Sequence, residues 1–347
     1  MTTPKRLARL VSPLDPVQGD ATARVGGPRP LVRSDIRPSP RPRIALVVLA
    51  LILGVLFAYP GSGLLLGWSS TVDGGIHRFH TVVWGVHTGL ALSVGLLALL
   101  VRTEARVATA QQVGVAMTVM MTVFFASVVL PHFGAPGVGI DRAVFSISVL
   151  VLTGVILALH PRREEILTSG QAVSRPMAAL GVVGLAVAAP YALDQIQIQL
   201  AVDLATDPHS AGGREHWTEM AIATLTLPLI ALVAALRTRG FRLVAWTTGT
   251  GTVIFGAASA LLPEQASSPG VAWGTAAMLG GILFVAVAEF ETRRESPNPR
   301  GQCPTSGAAQ GWHARVLLSR RHERCVVHPA SDVEPVDRWQ QADPASS

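Results

Sequence analysis

The chain is poor in charged residues. Asp, Glu, Lys and Arg make up 14% of its 347 residues, whereas a soluble globular domain usually carries about 25%. Apolar residues make up 49% of the chain. This balance excludes an ordinary soluble domain and directs attention to the length of the apolar runs.

Cysteine is nearly absent, which excludes a disulfide-based scaffold. The two cysteines, Cys303 and Cys325, lie in the polar C-terminal region beside three histidines, and no Cys-x-x-Cys pair is present. Structural zinc sites usually need closely spaced ligand pairs. We therefore expect free cytoplasmic thiols here.

Several catalytic and binding motifs are also missing. The chain has no Walker loop, no Gly-x-Ser-x-Gly, no His-Glu-x-x-His and no strand-associated Gly-x-Gly-x-x-Gly. Signatures of DNA-binding domains are absent too. The sequence thus predicts neither an ATP-driven pump nor a nucleic-acid partner. It favours a protein that is not an enzyme, but the missing motifs alone do not settle this.

What the chain does have is long apolar runs. A helix needs about 20 apolar residues to cross a bilayer, and eight segments meet this requirement. The fold class predicted is all-α: a polytopic membrane protein with eight transmembrane helices. The predicted spans are 44–68, 82–101, 113–130, 143–159, 177–193, 217–236, 243–262 and 271–288.

The basic residues set the predicted orientation. If the spans alternate in direction, 25 of the 28 Lys and Arg fall on one side, and only Arg78, Arg142 and Arg214 fall on the other. Basic loops remain in the cytoplasm. We therefore expect a multi-pass protein of the inner (plasma) membrane with both termini cytoplasmic and the lipid bilayer as its main partner.

Five regions follow from the composition. A disordered Pro/Arg-rich tail (1–43) precedes a first four-helix unit (44–160), a cytoplasmic linker (161–176), a second four-helix unit (177–290) and a disordered cytoplasmic tail (291–347).

The two units look like copies of one another. "LPHFGAPGV" follows the third predicted helix at 130–138, and "LLPEQASSPGV" follows the seventh at 261–271; His80 and His216 open matching helices. Each unit has an even number of spans, so both insert with the same orientation. The prediction is a parallel repeat about an axis along the membrane normal, forming two bundles.

Histidines and carboxylates gather on the predicted outer side. His80 and His87 share a helical face, with His87 about 10 Å deeper in the membrane. His216 and Glu219 are three apart on another helix and so are adjacent on its surface. His132 and Glu264 occupy matching positions after the third and seventh helices. Ionisable residues are costly in the membrane and often functional. The candidate ligand or proton-relay residues are His80, His87, His132, His216, Glu219 and Glu264.

This arrangement leaves three roles open. A transport-like or accessory role, with a small polar or ionic solute at the His/carboxylate site, is preferred because histidine titrates near neutrality. The second role is that of a haem- or metal-binding membrane redox protein, since imidazole and carboxylate suit divalent transition metals and facing histidines suit haem. The third is a structural membrane partner without a ligand site. No cofactor is assigned, and the solute and oligomeric state are not predicted.

Two resemblances bear on these roles. The stretch from "DLATDPHSAGGREHW" to "LLPEQASS" resembles a group of multi-span proteins from high-GC actinobacteria, which implies no particular activity. The architecture also resembles haem A synthases, eight-span proteins of two four-helix units with outward histidine ligands and a Glu-x-x-His-Arg motif.

In this chain "DGGIHR" places His77 and Arg78 at the position of that motif, with Asp73 four residues earlier. The resemblance implies a haem held by His77 or His80 with His132. The acid is Asp rather than Glu and stands one residue too far away. The outward cysteine pair found in many of those synthases is missing.

Overall fold

The computed structural model describes residues 40–69, 75–101, 105–131, 139–167, 173–203, 206–210 and 215–295. Most of the predicted N-terminal tail (1–43) and nearly all of the C-terminal tail (291–347), including both cysteines, lie outside the described residues. His132 and Asp73 lie outside them as well.

Every described element is helical. In chain order the helices are α1 (Pro40–Gly61), α2 (Gly63–Leu66), α3 (Arg78–Gly85), α4 (Gly95–Leu100), α5 (Val107–Phe124), α6 (Gly139–Leu159), α7 (Arg163–Ile166), α8 (Arg175–Ala201), α9 (His216–Ala235), α10 (Phe241–Leu261) and α11 (Gly270–Glu295).

Three shorter segments join them. A 3₁₀ turn at Gly67–Ser69 follows α2, a π-helical segment at Val86–Val94 joins α3 to α4, and a second π-helical segment at Phe125–Val129 extends α5. The helices α3 and α4 with the segment between them therefore form one continuous rod.

Seven of these helical stretches are long and apolar enough to cross a membrane, so the chain is an integral membrane protein. They are Arg43–Ser69, Arg78–Leu100, Val107–Val129, Ile140–Leu159, Arg175–Ala201, His216–Ala235 and Gly270–Arg294. The predicted spans agree with them to within a few residues at most ends. Three helices differ by more: α5 begins at Val107 rather than at 113, α8 continues to Ala201, and α11 continues from 288 to Glu295.

The predicted span at 243–262 also forms a helix, α10, but it is not among these seven. Its middle reads Thr-Thr-Gly-Thr-Gly-Thr, which lowers its hydropathy. The structure gives a reason: Thr247, Thr248, Gly249 and Gly251 are buried against other helices. A helix surrounded by protein does not need the apolar surface that lipid requires.

Burial separates central helices from peripheral ones. The stretches Arg78–Leu100, Val107–Val129 and His216–Ala235 are mostly buried, whereas the first, fourth, fifth and last of the seven spans mostly expose their side chains. Helix α10 contacts α9 and α5 among these central helices. The centre of the bundle therefore consists of the second and third helices of each predicted four-helix unit.

Small residues allow α10 and α11 to approach closely. A Cβ placed on Gly256 would contact the Gly274 carbonyl, and one on Gly281 would contact the Gly249 carbonyl. In lipid, helices associate through such close backbone contacts. The glycine pattern of these two helices is thus a packing feature.

Buried amides join the central helices to one another. The Gln112 side chain donates to the Ala91 carbonyl at 2.8 Å, and its oxygen accepts from the Thr247 hydroxyl at 3.2 Å. Ala91 lies in the π-helical segment Val86–Val94. One glutamine therefore joins three helices and satisfies a carbonyl inside that segment.

The helices run alternately between two ends, which differ in chemistry. We call the end with His77, His80 and His216 the histidine end. The opposite end, with Arg106, Arg162, Arg239 and Arg242, is the arginine end.

Candidate functional site

Four histidines meet at the histidine end of the bundle. His77 immediately precedes α3, His80 lies in its first turn, His216 opens α9, and His209 lies in the turn Asp207–Ser210 between α8 and α9. Their ring centroids are 4.6 Å apart for His77 and His216, 5.0 Å for His80 and His216, and 5.1 Å for His77 and His209. We call these four residues the histidine cluster.

Three members of the cluster lie close enough together to hold a metal ion after a small shift of their rings. One nitrogen each from His77, His80 and His209 lies within 4.8 Å of the other two. Zinc–nitrogen bonds are about 2.0–2.1 Å long, so the rings have to draw together on binding an ion. Because His209 lies on a turn, it can make such a shift without moving a helix.

The hydrogen bonds of the cluster leave ring nitrogens available. His80 Nε2 lies 3.2 Å from the Ser267 hydroxyl, while its Nδ1 has no hydrogen-bond partner among the described residues. His209 Nε2 and His216 Nε2 also lack one within the described part of the chain. Buried polar atoms normally have a partner, so each such atom requires an explanation.

A carboxylate orients His216. Its Nδ1 lies 2.8 Å from Glu219 Oε2, three residues further along α9. When a histidine binds a metal, its second nitrogen usually donates to a carboxylate or carbonyl, which fixes the tautomer and the ring orientation. The Glu219 contact directs the proton to Nδ1 and leaves Nε2 as a lone-pair donor.

The turn that carries His209 is held at several points. The His209 carbonyl accepts from the His216 amide at 3.2 Å, and Trp217 Nε1 donates to Asp207 at 3.1 Å. The Trp217 ring lies 5.0 Å from His209 and 5.9 Å from His80. The indole therefore covers one side of the cluster and limits its contact with solvent.

The electrostatics favour neutral imidazole at His209. Burial lowers the pKa of His209 below its ordinary value, and nearby His216 acts in the same direction, although Asp207 opposes both. A metal binds the neutral form of histidine. His209 is therefore in the binding-competent state at neutral pH.

An acid–base pair connects this site to the first half of the chain. Glu215, which precedes α9, forms an ion pair with Arg142 of α6. Burial raises the pKa of Glu215 to about 7, although Arg142 acts in the opposite direction. This pair links α6 to the start of α9, next to His216.

The structure brings together only some of the predicted site residues. His80, His216 and Glu219 belong to the same site, and His77, proposed for the haem alternative, joins them. Glu264 is exposed in the loop between α10 and α11. His132 lies outside the described residues, so its prediction stays open.

His87 lies seven residues beyond His80, in the π-helical segment, and is buried. Its ring stacks on Trp84 with centroids 5.1 Å apart, and neither ring nitrogen has a hydrogen-bond partner among the described residues. None of the described ring contacts of His77, His80, His209 and His216 is to His87. His87 thus stands apart from the cluster as a separate buried imidazole.

Sequence reasoning did not select His209. It lies in a turn, so no helical periodicity relates it to another ligand, and it stands seven residues before His216 in "DPHSAGGREH". The signal that could have found it is its position on the same predicted side of the membrane as His216, seven residues away in sequence.

The described histidines do not fit a haem. The rings of His77 and His80 have centroids 6.2 Å apart. His209 and His216 lie about 5 Å from both rings and so occupy the space between them. A porphyrin ring needs that space free, so His77 and His80 do not hold a haem between them. The predicted haem pair uses His132, which lies outside the described residues, and stays a prediction.

Comparison with protein-family models, curated proteins and solved structures finds no match for this chain.

Proposed function

We propose that this integral membrane protein binds a divalent transition-metal ion at the histidine end of its bundle. The observation that supports this most strongly is the convergence of His77, His80 and His209, with ligand nitrogens within 4.8 Å of one another. His216, oriented by Glu219, supplies the fourth imidazole. Ligation by nitrogen alone suits zinc, copper, nickel or cobalt better than magnesium or calcium.

The binding-ready state of the rings supports the same proposal. Three of the four imidazoles present a nitrogen that the described residues leave without a hydrogen bond. Such atoms are unfavourable in a buried site unless a ligand satisfies them. A metal ion satisfies several at once, because one cation accepts a lone pair from each ring.

A proton relay at the same site is the second candidate function, and it has less support than metal binding. It would use His80 and His216 with Glu219, the residues that the sequence selected. The close ring packing of four imidazoles favours a bound cation over a relay, since like charges would accumulate if several rings were protonated together. We therefore place metal binding first and treat metal delivery or transport as a role that builds on it.

We also propose the membrane topology that the sequence predicted. Helix α10 is the eighth span, because it is 21 residues long and packs between α9 and α11, two helices that can each cross the membrane. With eight spans and the bias of basic residues, both termini are cytoplasmic and the histidine cluster faces outward across the inner membrane.

The parallel repeat is part of this proposal. Its support is that the second and third helices of each unit are the central ones. His80 and His216, at matching positions in the two units, also stack with ring centroids 5.0 Å apart. The metal site then lies where the two units meet.

The experiment is a cobalt titration of the detergent-purified protein after chelator treatment. Cobalt bound to nitrogen ligands in a four-coordinate site gives strong visible absorption, which reports both stoichiometry and geometry. We expect one ion per chain and competition by zinc. Absence of a cobalt spectrum and of zinc binding in a folded sample would overturn the proposal.

A further inference from the structure

A large cavity lies among α8, α9, α10 and α11, and none of the four histidines of the cluster is among its described lining residues. Its volume is about 710 Å³, within the range of small-molecule sites. Every described side chain that lines it is uncharged. The lining on α8 extends from Leu180 to Tyr191, about 16 Å along the helix axis at 1.5 Å per residue.

Small residues keep this space open. A Cβ built on Gly280 of α11 would meet no atom within 4 Å, and one on Gly184 of α8 would approach only Pro228, at 3.4 Å. Glycines that serve helix packing behave differently: a Cβ on Gly256 would collide with backbone. Gly184 and Gly280 therefore line a space between helices rather than a tight contact.

Two hydroxyl groups in the cavity wall make no hydrogen bond to the described residues. Thr248 is 4% exposed and lines the cavity, and its hydroxyl has no hydrogen-bond partner among the described residues. Thr224 also lines the cavity, and its hydroxyl likewise has no hydrogen-bond partner in the described part of the chain. Both threonines lie well inside their helices, so the occupant carries its polar atoms at the depth of the hydrocarbon region.

Two prolines add acceptors to these donors. Pro190 of α8 and Pro228 of α9 both line the cavity. Proline has no N–H, so the carbonyl four residues earlier loses its helical donor. These carbonyls belong to Ala186 and Thr224, which line the cavity as well.

The cavity is reached from the bilayer side. Val183 and Val187 of α8 and Trp273 of α11 belong to the lining, and they are 61%, 49% and 58% exposed. These exposed side chains lie on peripheral helices that face lipid. An occupant can therefore enter sideways from the membrane.

We propose that the cavity binds one isoprenoid quinone drawn from the bilayer. Its ring is flat and uncharged, and its carbonyl oxygens accept hydrogen bonds from Thr224 and Thr248. The reduced form can donate to the carbonyls that the prolines release. Phe255 and Phe284 supply aromatic surface for the ring. The isoprenoid chain fills the elongated apolar part along α8.

A phospholipid fits less well. Its charged head group stays at the membrane surface, so its chain would leave the Thr248 hydroxyl unsatisfied. The proposal concerns binding alone, with no electron transfer.

The test measures quinone in the full-length purified protein. Lipid extracts are assayed by the ultraviolet change on borohydride reduction, and binding of added decylubiquinone is then titrated. Gly280→Leu should lower bound quinone at least tenfold, since its side chain fills open space. Gly280→Ala is the matched control and should bind like the unchanged protein.

Thr248→Val tests the polar contact in a side chain of the same shape and should weaken decylubiquinone binding about fivefold. If gel filtration shows that Gly280→Leu does not fold, the decylubiquinone affinity of Thr248→Val tests the proposal in its place. Equal quinone content in folded Gly280→Leu and unchanged protein, or extracts with phospholipid only and no decylubiquinone binding, would overturn the proposal. The measurement needs no metal, so a failure of metal binding and a failure of quinone binding can be told apart.

Discussion

The two ends of the bundle use polar residues in opposite ways. At the arginine end, side chains form pairs: Glu165 binds Arg162 at 2.6 Å and Arg239 at 3.3 Å, and Gln111 accepts from Thr238 at 2.6 Å. At the histidine end, imidazole rings converge while ring nitrogens of His80, His209 and His216 lack hydrogen-bond partners among the described residues. The first arrangement pairs opposite charges and joins donors to acceptors, although Arg106 Nε and Arg162 Nε also lack a hydrogen-bond partner among the described residues. The second arrangement brings like groups together, as the proposed metal site requires.

This difference separates stabilising contacts from binding contacts. A group with its partner in place contributes to folding, and its removal lowers the free energy of unfolding. A polar atom without a partner contributes no hydrogen bond to folding, so its loss should affect ligand binding in addition to any loss of packing. Substitutions at the two ends should therefore change different measurements.

The largest expected effect is the loss of metal binding in His80→Ala. This change removes one of the three clustered ligands, so we expect cobalt affinity to fall by about 100-fold or more, beyond the range typical of residues that only support a ligand. The side chain makes one hydrogen bond, to Ser267, but its ring is fully buried against His209, His216 and Trp217. The melting temperature of the metal-free protein should therefore fall as well, and affinities are compared in folded protein. The measurement is a cobalt titration beside a melting curve.

His87→Ala is the matched control, because His87 is also a buried histidine of the same helical rod but stands apart from the cluster. Its cobalt affinity should equal that of the unchanged protein. Equal weakening in both variants would show that the cluster is not the binding site.

Glu219→Gln should have the next largest effect. The amide keeps the size of the side chain but no longer fixes the proton on His216 Nδ1. Loss of such a supporting carboxylate typically weakens metal binding about 10–100-fold. Isothermal titration with zinc measures this change, and unchanged affinity would remove His216 from the ligand set while leaving the other three.

At the arginine end, Gln111→Leu should affect stability and not binding. The Gln111 amide donates to the Ile166 carbonyl at 2.7 Å and its oxygen accepts from Thr238. Leucine leaves both of these groups without a partner, at a cost of about 1–3 kcal/mol. Chemical unfolding should show this loss while cobalt affinity stays the same; a parallel loss of cobalt affinity would mean that the ends are coupled.

The helices were predictable because bilayer thickness imposes a strong constraint on length and composition. The predicted spans 143–159 and 217–236 differ from α6 and α9 by a few residues at most. Helix α10 was also located, since its length and its flanking loops were visible even though threonine and glycine dilute its apolar character. Its central place explains that dilution, and no single sequence shows which helix lies at the centre.

The site was predictable only in part. His80, His216 and Glu219 were found because helical spacing relates His216 to Glu219, and the two histidines open helices on the same side. His209 was not selected, and Glu264 was selected although the structure leaves it exposed. Both residues lie in loops, where spacing along the chain says little about position in space. The cavity was hidden for another reason: glycines at helix contacts and glycines at gaps look alike in sequence.

The smallest expected effect is at the ion pairs of Glu165. It measures how much these exposed pairs add to the free energy of unfolding. Glu165 is about one-third exposed, and its partner Arg239 is about half exposed. Exposed ion pairs contribute about 0–1 kcal/mol because water and salt screen them. Glu165→Gln should therefore lower the free energy of unfolding by less than Gln111→Leu, although both residues lie at the same end. A larger loss than in Gln111→Leu would show that charge rather than buried hydrogen bonding holds the arginine end together. In that case adding salt should destabilise the unchanged protein and leave Glu165→Gln nearly unaffected.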